Sequence, residues 1–195
     1  MKKYIYFIAI LLLIGCGSIP NTRYYLIDYP VEGEPTAEPA IDAVLGVAKF
    51  KAEPLYENDR IVYRDNPYEG KFYHYHRWVT SPKDMVTDKV IEQLSAGGLF
   101  TQVVYFPHTT DIDYLLRGTI KAFEEWDEPE TWQAHVKIHF ELIRRTDSVL
   151  LWQDTLTQKT TVNNKTPLDV VRAISVSLQS VVDEAAKHIA AEIVE

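Results

Sequence analysis

The residue with the most distinctive chemistry in the sequence is Cys16, because it is the only cysteine of the 195 residues. A solitary thiol has no disulfide partner in its own chain, so in an exported protein it needs another explanation. The preceding residues supply one. Met1-Lys2-Lys3 opens a segment that continues as roughly 11 apolar residues and ends at the small residue Gly15, which is the layout of a secretory signal peptide. We therefore expect residues 1–15 to be a signal peptide.

The four residues Leu13-Ile14-Gly15-Cys16 resemble the lipobox of bacterial lipoproteins, in which the cysteine is acylated and becomes the first residue of the mature protein. The alternative is a plain cleaved signal with an incidental cysteine. The apolar run is shorter than the ~20 residues that a helix needs to span a bilayer, so it does not predict a permanent transmembrane helix. Several acyl chains hold a protein firmly on a membrane, because each buried CH₂ contributes about 0.8 kcal/mol. We therefore predict that Cys16 is lipidated, with palmitate among the acyl chains.

Gly17 and the residues after it predict where the anchored domain lies. Aspartate after the acylated cysteine is the usual inner-membrane retention signal in enterobacteria, and this chain has Gly17 instead. For a Gram-negative source this favours the periplasmic face of the outer membrane. Residues 16–22 form a short tether that reaches ~20 Å when extended. The folded body, predicted as one domain over residues 23–195, must therefore lie close to its membrane.

Two histidine pairs raise the question of metal binding. His74 and His76 are two residues apart in a predicted strand, so their side chains lie on one face and could contribute to a metal site. A site also needs a third ligand and supporting hydrogen bonds, and nothing nearby supplies an obvious one. His135 and His139 are four residues apart in another predicted strand, which separates them by ~13 Å. We predict no metal site, and interpret the first pair as part of an aromatic surface and the second as part of a solvated sheet face.

No pattern of catalytic residues is present in the sequence. It lacks Gly-x-Ser-x-Gly, His-Glu-x-x-His and a phosphate-binding glycine loop. Two acidic pairs, Asp111 with Asp113 and Glu124 with Glu125, lie at predicted strand ends, where solvation explains them. We therefore predict that the protein is not an enzyme and has no cofactor.

The stretch from Arg60 to Val79 is rich in tyrosine, tryptophan and arginine, which are enriched at binding hot spots. Two β-rich runs flank the turn sequence Asn66-Pro67 and Gly70, which predicts a hairpin or extended arm. Ordinary core and edge packing is the alternative to a partner or lipid contact surface, but it explains the interleaved charges less well. The predicted partner-binding residues are Tyr63, Arg64, Tyr68, Tyr73, Tyr75, Arg77 and Trp78.

Alternation along the second run of this arm predicts two faces, neither of them plainly polar. The expected faces are Phe72, His74, His76 and Trp78 on one side and Tyr73, Tyr75, Arg77 and Val79 on the other. Such a strand is buried on both sides or docks onto another molecule.

Periodicity predicts the elements that would hold these residues. Strands are expected at residues 23–28, 43–50 and 101–105, and then in three long runs joined by hairpin-length connections. The expected inward face of the first long run is Tyr114, Leu116, Gly118, Ile120 and Ala122. Helices are expected after Ser81 and Thr166, each with proline at the first helical position. The predicted fold class is α+β, an antiparallel or mixed β-sheet with two amphipathic helices packed on one face in a two-layer sandwich.

The balance of charge is acidic. The chain has 20 basic and 28 acidic residues, a net charge of −8, which becomes −10 when Lys2 and Lys3 leave with the signal peptide. Such a surface argues against nucleic acid as a partner and against broad adhesion to anionic lipid. With no second cysteine, the fold must rest on its core, and an apolar content of 46% is enough to build one.

Four segments together resemble the ABC-type transport auxiliary lipoproteins, a family that includes the paraquat-inducible protein C branch. They are Tyr24-Tyr25-Leu26 soon after the lipobox, Ile61-Val62-Tyr63-Arg64-Asp65, Phe72-Tyr73-His74-Tyr75-His76-Arg77-Trp78 and Leu115-Leu116-Arg117-Gly118. The resemblance covers most of the mature chain, and the Tyr-Arg-Asp and His-Arg-Trp segments are its more specific parts. It carries over only the lipidated Cys16, because the family offers no catalytic residue to transfer.

The resemblance implies an outer-membrane lipoprotein that works with a mammalian-cell-entry (MCE) domain protein and an ABC permease and ATPase. Such machinery moves phospholipid or other hydrophobic molecules between the two membranes. We expect the Arg60–Val79 stretch to form the docking surface for the MCE partner or a surface between copies in a homo-oligomer. The alternative is a carrier that holds one lipid or glycolipid in a cavity between the helices and the sheet.

Overall fold

Nine strands of the described residues pair into one mixed sheet, and two α-helices accompany it. The computed structural model describes residues 20–31 and 39–194, so Cys16 and the predicted signal peptide lie outside it. The strands are β1 (Arg23–Tyr25), β2 (Ile41–Ala48), β3 (Lys51–Ala52), β4 (Arg60–Arg64), β5 (Lys71–Trp78), β6 (Phe100–Phe106), β7 (Tyr114–Asp127), β8 (Trp132–Arg144) and β9 (Leu150–Thr161). The helices are α1 (Pro82–Ala96) and α2 (Pro167–Val194), and a 3₁₀ turn occupies Pro54–Tyr56. The predicted α+β class is confirmed.

Strand β7 organises the sheet, because both of its edges carry partner strands. Along one edge it pairs antiparallel with β8, from Tyr114 opposite Arg144 to Asp127 opposite Trp132. Along the other edge it receives three short parallel strands in succession, first β2, then β3, then β4. β6 extends the sheet beyond β2, whereas β5 and then β1 extend it beyond β4. The sheet therefore has two separate wings on one side of β7 and the pair β8–β9 on the other.

The three long strands form the predicted antiparallel meander, with one register shift in each of its two ladders. The inner face of β8, packed against the helices, consists of the fully buried Ala134, Val136, Ile138, Phe140 and Leu142. In β7 the register shifts after Ile120, so that Ala122 lies opposite Lys137. This bulge turns Ala122 to the outer face and makes Phe123 the next inward residue. The expectation that Ala122 continues the inward face is therefore wrong.

Both helices begin where the sequence predicts, and side-chain hydrogen bonds hold their first turns. At α1 the Ser81 hydroxyl donates to the Asp84 carboxylate over 2.5 Å. At α2 the Thr166 hydroxyl accepts from the backbone N–H of Asp169 at 3.2 Å and donates to its carboxylate at 2.8 Å. The bond at α2 satisfies an amide group that lacks an acceptor within the first turn. Helix α1 ends just before Gly98, whose φ of 63° suits glycine.

The two helices share one core with the inner face of the sheet. Their buried residues include Val86, Val90 and Leu94 of α1 and Ile174, Leu178, Val181, Val182, Ala185 and Ile189 of α2. The helices also meet directly, because Nε2 of Gln93 donates to Oδ1 of Asp183 at 2.6 Å and to the carbonyl of Gln179 at 3.2 Å. Burial of each large apolar side chain contributes about 1.5–3 kcal/mol, so this layer is the main source of stability. Neither of the described helices is long and apolar enough to span a bilayer.

Gly118 is a point of very close packing between β7 and the core. A Cβ atom at this position would lie 2.2 Å from Cε2 of Phe50. The Phe50 ring cannot move away, because it is 2% exposed and packs edge-on against Phe140 with 5.9 Å between ring centroids. Gly118→Ala is therefore expected to lower the free energy of unfolding, measured in urea, by about 1–3 kcal/mol.

Gly97→Ala is the matched control for this prediction. A Cβ atom there would meet no atom closer than 3.5 Å, and the φ of −66° is one that alanine adopts freely. We expect that change to be neutral or to stabilise the fold by up to about 1 kcal/mol. Equal stability of the two variants would mean that the Phe50 ring gives way, and would contradict the prediction.

Candidate partner-binding surface

The predicted arm is an antiparallel hairpin of β4 and β5. Side-chain contacts order the connection between the strands, where Oδ1 of Asn66 accepts from the backbone N–H groups of Tyr68 and Glu69 at 3.0 and 3.1 Å. Lys71 donates to Asp65 at 2.7 Å across the base of the connection. Tyr68 is 96% exposed at the tip. The arm therefore presents an aromatic ring on an ordered turn.

Strand β5 does not follow the simple alternation expected from the sequence. Val62 pairs with Phe72, whereas Arg60 pairs with a residue five positions further along β5, so the register slips within the hairpin. As a result Tyr73 and His76, expected on opposite faces, are neighbours with ring centroids 5.5 Å apart. The predicted division of β5 into two faces is wrong, because extra residues on one strand of a pair reverse the alternation beyond them.

Trp78, one of the predicted contact residues, lies in the core. It is 1% exposed, and its ring centroid lies 5.4 Å from that of Phe123. Its indole nitrogen is buried and has no hydrogen-bond partner among the residues that the structure describes. A side chain in this position cannot reach another protein while the arm stays folded. Trp78 is therefore reassigned as the residue that fastens the end of β5 to the core.

Tyr63 and Tyr73, two further predicted contact residues, support the arm from beneath. Both are half-buried, and their ring centroids lie 5.1 Å apart. The Tyr73 hydroxyl donates to Oε2 of Glu125 in β7 at 2.8 Å. Burial raises the pKa of Tyr73, so its hydroxyl keeps the proton that it donates. These contacts hold β4 and β5 against β7.

An exposed apolar strip lies where β5 meets β1, and it contains one predicted contact residue. The strip consists of Tyr24, Leu26, Tyr75 and Val79, which are 63%, 59%, 40% and 57% exposed. Arg77 lies within it, in register with Tyr24, and binds both carboxylate oxygens of Asp59 at 3.1–3.2 Å. Sequence reasoning missed Tyr24 and Leu26, because their exposure depends on a parallel pairing with a strand distant in the chain. The only available signal was their resemblance to the family segment after the lipobox.

Glu124 and Glu125 are buried, at 1% and 0% exposure, so their interpretation as solvated strand-end residues is wrong. The reason is that β7 continues to Asp127 and carries both residues between β4 and β8. Glu124 points to the outer face, where the Tyr56 hydroxyl donates to Oε2 at 2.5 Å. Nη1 of Arg64, another predicted contact residue, lies 3.6 Å from Oε1 of Glu124. Arg64 therefore makes its main contact within the fold.

Glu125 points to the inner face, where its surroundings favour the protonated carboxyl group. Burial, followed by the neighbouring carboxyl group of Asp127, raises the pKa of Glu125 to about 9, although the hydrogen bond from Tyr73 acts in the opposite direction. Oε1 of Glu125 and Oδ1 of Asp127 are both buried without a partner among the described residues. A proton held by Glu125 turns one of these oxygens into a donor for its neighbour. The pair is thus stable only while it shares a proton.

The histidines of β8 lie apart and bind threonines of β9. The ring nitrogen Nε2 of His135 lies 3.2 Å from Oγ1 of Thr157, and Nδ1 of His139 lies 3.0 Å from Oγ1 of Thr155. Within residues 20–31 and 39–194, no three His, Cys, Asp or Glu side chains are grouped in a way that could hold a metal ion. Hydrogen bonding across the sheet accounts for these two histidines.

Comparison with known proteins identifies a family model and a group of similar folds. Residues 24–186 match the model of the ABC-type transport auxiliary lipoprotein component. No curated protein matches the sequence. The fold is similar to that of protein XCC0632 from Xanthomonas campestris, of family DUF330, with a TM-score of 0.77, 23% identity and coverage of 87% of this chain and 96% of that chain.

Two further solved structures are similar at lower identity. One is an uncharacterized protein, with a TM-score of 0.70, 12% identity and coverage of 87% of this chain and 99% of that one. The other is the hypothetical protein CT253 from Chlamydia trachomatis, with a TM-score of 0.54, 6% identity and coverage of 80% and 100%. At these identities the likeness shows a shared fold alone.

Proposed function

The chain belongs to the family of ABC-type transport auxiliary lipoprotein components, and from this we propose that it is the non-catalytic, acyl-anchored docking component of an ABC and MCE-type transport system. In this proposal Cys16 carries the acyl chains and the domain lies at the periplasmic face of the outer membrane. The MCE-domain partner binds the arm, and the permease and ATPase complete the system. The cargo is phospholipid or another hydrophobic molecule that moves between the two membranes.

The exposed tip of the arm is the observation that carries this proposal. Tyr68 stands almost fully in solvent on a turn whose backbone is already fixed by Asn66. A rigid aromatic ring on an ordered turn loses little conformational freedom when it binds, so more of its contact energy remains as affinity. The residues beneath, Tyr63, Tyr73 and Trp78, keep the arm in position. An exposed contact residue that is held in position by buried residues is the arrangement expected of a docking element.

The short tether is consistent with a lipid anchor that lies close to the folded domain. Strand β1 begins at Arg23, so the seven residues of the predicted tether limit its distance from Cys16 to ~20 Å. The exposed strip that includes Tyr24 and Leu26 lies at this same end of the domain. Tyrosine is well suited to the boundary between lipid and water. In this proposal Tyr24 and Leu26 therefore lie next to the membrane, and the arm, with Tyr75 and its tip at Tyr68, points away from it.

The packing of the core gives no support to the carrier alternative. A row of aromatic rings fills the layer between α2 and the sheet, with centroid distances of 5.9 Å from Phe50 to Phe140, 6.2 Å from Phe140 to Trp152 and 5.4 Å from Trp152 to His188. At Gly118 this layer has no room even for a methyl group. A bound lipid would need a cavity of several hundred cubic ångströms in the same layer.

Alanine at both Tyr68 and Tyr75 tests the docking proposal. The double variant is expected to weaken capture of the MCE-domain partner roughly tenfold or more, because each aromatic hot spot lost costs about 1 kcal/mol or more. The measurement is a titrated pull-down, or the Kd, with the purified partner. Sedimentation velocity of the free protein shows whether the same change also dissociates a homo-oligomer.

Tyr105→Ala is the matched control, because Tyr105 is 39% exposed, as Tyr75 is 40% exposed, but lies on β6 at the opposite end of the strand order. It should leave capture unchanged. Thermal unfolding of every variant verifies that the domain is folded. Equal capture by the wild type and the arm variant would refute docking through this surface.

A further inference from the structure

The outer face of the sheet contains a cleft that the docking proposal does not use. It lies between β4, β7, β8 and β9 and has a volume of about 280 Å³. Its charged lining comprises Arg64, Lys121, Lys137 and Lys159 around the buried carboxylate of Glu124. Four cations thus surround one carboxylate, whereas the chain as a whole has a net charge of −8. The cleft is therefore positively charged, although the protein as a whole is negatively charged.

Trp126 and Glu124 hold cations of the cleft in place. The ring centroid of Trp126 lies 5.2 Å from the guanidinium carbon of Arg64 and 5.8 Å from the ammonium of Lys159. At the base, Glu124 lies 3.6 Å from Nη1 of Arg64. Cation–π and ion-pair contacts restrict long side chains that would otherwise sample many rotamers. The cleft is therefore organised without a ligand.

Several donors in the cleft lack an acceptor. Nε of Arg64 is buried and makes no hydrogen bond within the described residues. Lys121 is paired with Glu53 at 2.6 Å, but Lys137 and Lys159 have no carboxylate partner in that part of the chain. A buried donor without an acceptor destabilises the fold, and a bound anion removes that cost. The arrangement is that of an anion site.

We infer that this cleft binds a phosphate group. A phosphate offers several acceptor oxygens and negative charge, which match the unpartnered Nε–H of Arg64 and the point charges of Lys137 and Lys159. Two sources share this chemistry, the phosphate of a phospholipid headgroup and free inorganic phosphate. The inference is independent of docking at the arm, because neither Tyr68 nor Tyr75 lines the cleft.

Calorimetric titration of the full mature protein in non-ionic detergent tests the inference. The probes are inorganic phosphate and glycerophosphoglycerol, the deacylated headgroup of phosphatidylglycerol. Lys137→Gln combined with Lys159→Gln is expected to weaken binding of the preferred probe about tenfold or more. Lys83→Gln combined with Lys187→Gln, on the two helices, removes the same charge and should leave the Kd unchanged. Thermal unfolding verifies that both variants are folded.

Each outcome decides the question. Preference for glycerophosphoglycerol supports the inference and assigns the cleft to a lipid headgroup, whereas preference for inorganic phosphate supports it and assigns the cleft to the free ion. Failure of the wild type to bind either probe overturns the inference, as does equal binding by the wild type and the cleft variant. A cleft variant that loses only capture of the protein partner would overturn it in favour of an acidic protein surface.

Discussion

Glu125→Gln is expected to make the domain more stable than the wild type at about pH 8, because it should remove most of the decrease in stability that the wild type shows between about pH 5 and pH 8. Glu125 is fully buried, and its pKa in the folded protein is about 9 instead of the ordinary 4.5. Glutamine keeps an acceptor for the Tyr73 hydroxyl and supplies an N–H donor toward Asp127. It therefore mimics the protonated carboxyl at every pH.

The sign of the effect follows from the direction of the shift. Because the pKa of Glu125 is raised on folding, the folded state holds a proton that the unfolded state releases between about pH 4.5 and pH 9. The contribution to stability is fully present below about pH 4.5 and is lost as the pH rises toward 9. Each unit corresponds to about 1.4 kcal/mol, so the wild type should lose about 3–4 kcal/mol more than the variant from pH 5 to pH 8. Urea unfolding of both proteins at several pH values measures this difference.

Other titrating groups do not disturb the comparison. Burial and the nearby charge of Arg23 lower the pKa of His76, so its contribution to stability rises with pH, and subtraction of the two profiles cancels it. Tyr73→Phe provides a second variant, because it removes the hydrogen bond that lowers the pKa of Glu125 and should extend the window to higher pH. Parallel profiles for the wild type and Glu125→Gln would contradict a neutral Glu125.

Cys16→Ala is expected to abolish acylation and to remove the protein from the outer-membrane fraction. Growth with labelled palmitate should label the wild type and leave the variant unlabelled, because the chain has no other cysteine. Each buried CH₂ contributes about 0.8 kcal/mol, so loss of several acyl chains lowers membrane partitioning by many orders of magnitude. Mass spectrometry of the amino terminus identifies the modified residue directly.

A secreted form separates anchoring from processing of the signal. An ordinary cleavable signal peptide placed before Gly17 should yield a protein that is recovered in the soluble periplasmic extract and has the thermal stability of the wild type. A wild-type protein with an unmodified amino terminus in that same extract would refute the anchor.

The sequence was sufficient to predict those strands and helices whose apolar residues recur at one regular spacing. Strand β8 alternates without a break, so its inward residues from Ala134 to Leu142 could be read from the period of two. Helix α2 has a continuous apolar stripe and a Thr166 cap, and both are present in the structure. The antiparallel meander could also be predicted, because strands that are joined by short connections pair with their neighbours along the chain.

What sequence could not predict depends on pairing between distant strands. The bulge after Ile120 and the slip in β5 each reverse the faces beyond them, so alternation misplaced Ala122 and Tyr73. The burial of Glu124 and Glu125 has the same origin, because it requires β4 to lie beside the end of β7. Two acidic residues in succession are typical of a solvated turn, and only the neighbouring strands show otherwise.

The candidate surface was predicted in outline and not residue by residue. The turn sequence between two β-rich runs indicated the hairpin correctly, but tyrosine and tryptophan serve both cores and interfaces, so composition alone does not show which side chains are exposed. Tyr68 is exposed and Trp78 is buried, and nothing in their types distinguishes these two positions. The phosphate cleft combines residues from four strands, so no stretch of sequence could indicate it.

The three parallel strands on one edge of β7 also limit the order in which the parts of the chain can fold. The backbone N–H of Val44 donates to the carboxylate of Asp113, 69 residues later. Strands β2, β3 and β4 likewise cannot complete their pairing until β7 is present. Contacts so distant along the chain form slowly, because a long loop must close first. A polypeptide that leaves a narrow translocation channel with its amino terminus first therefore cannot close its sheet until the second half has emerged. For the exported lipoprotein proposed above, this topology would leave the first half of the chain without its main strand partner while it passes through the channel.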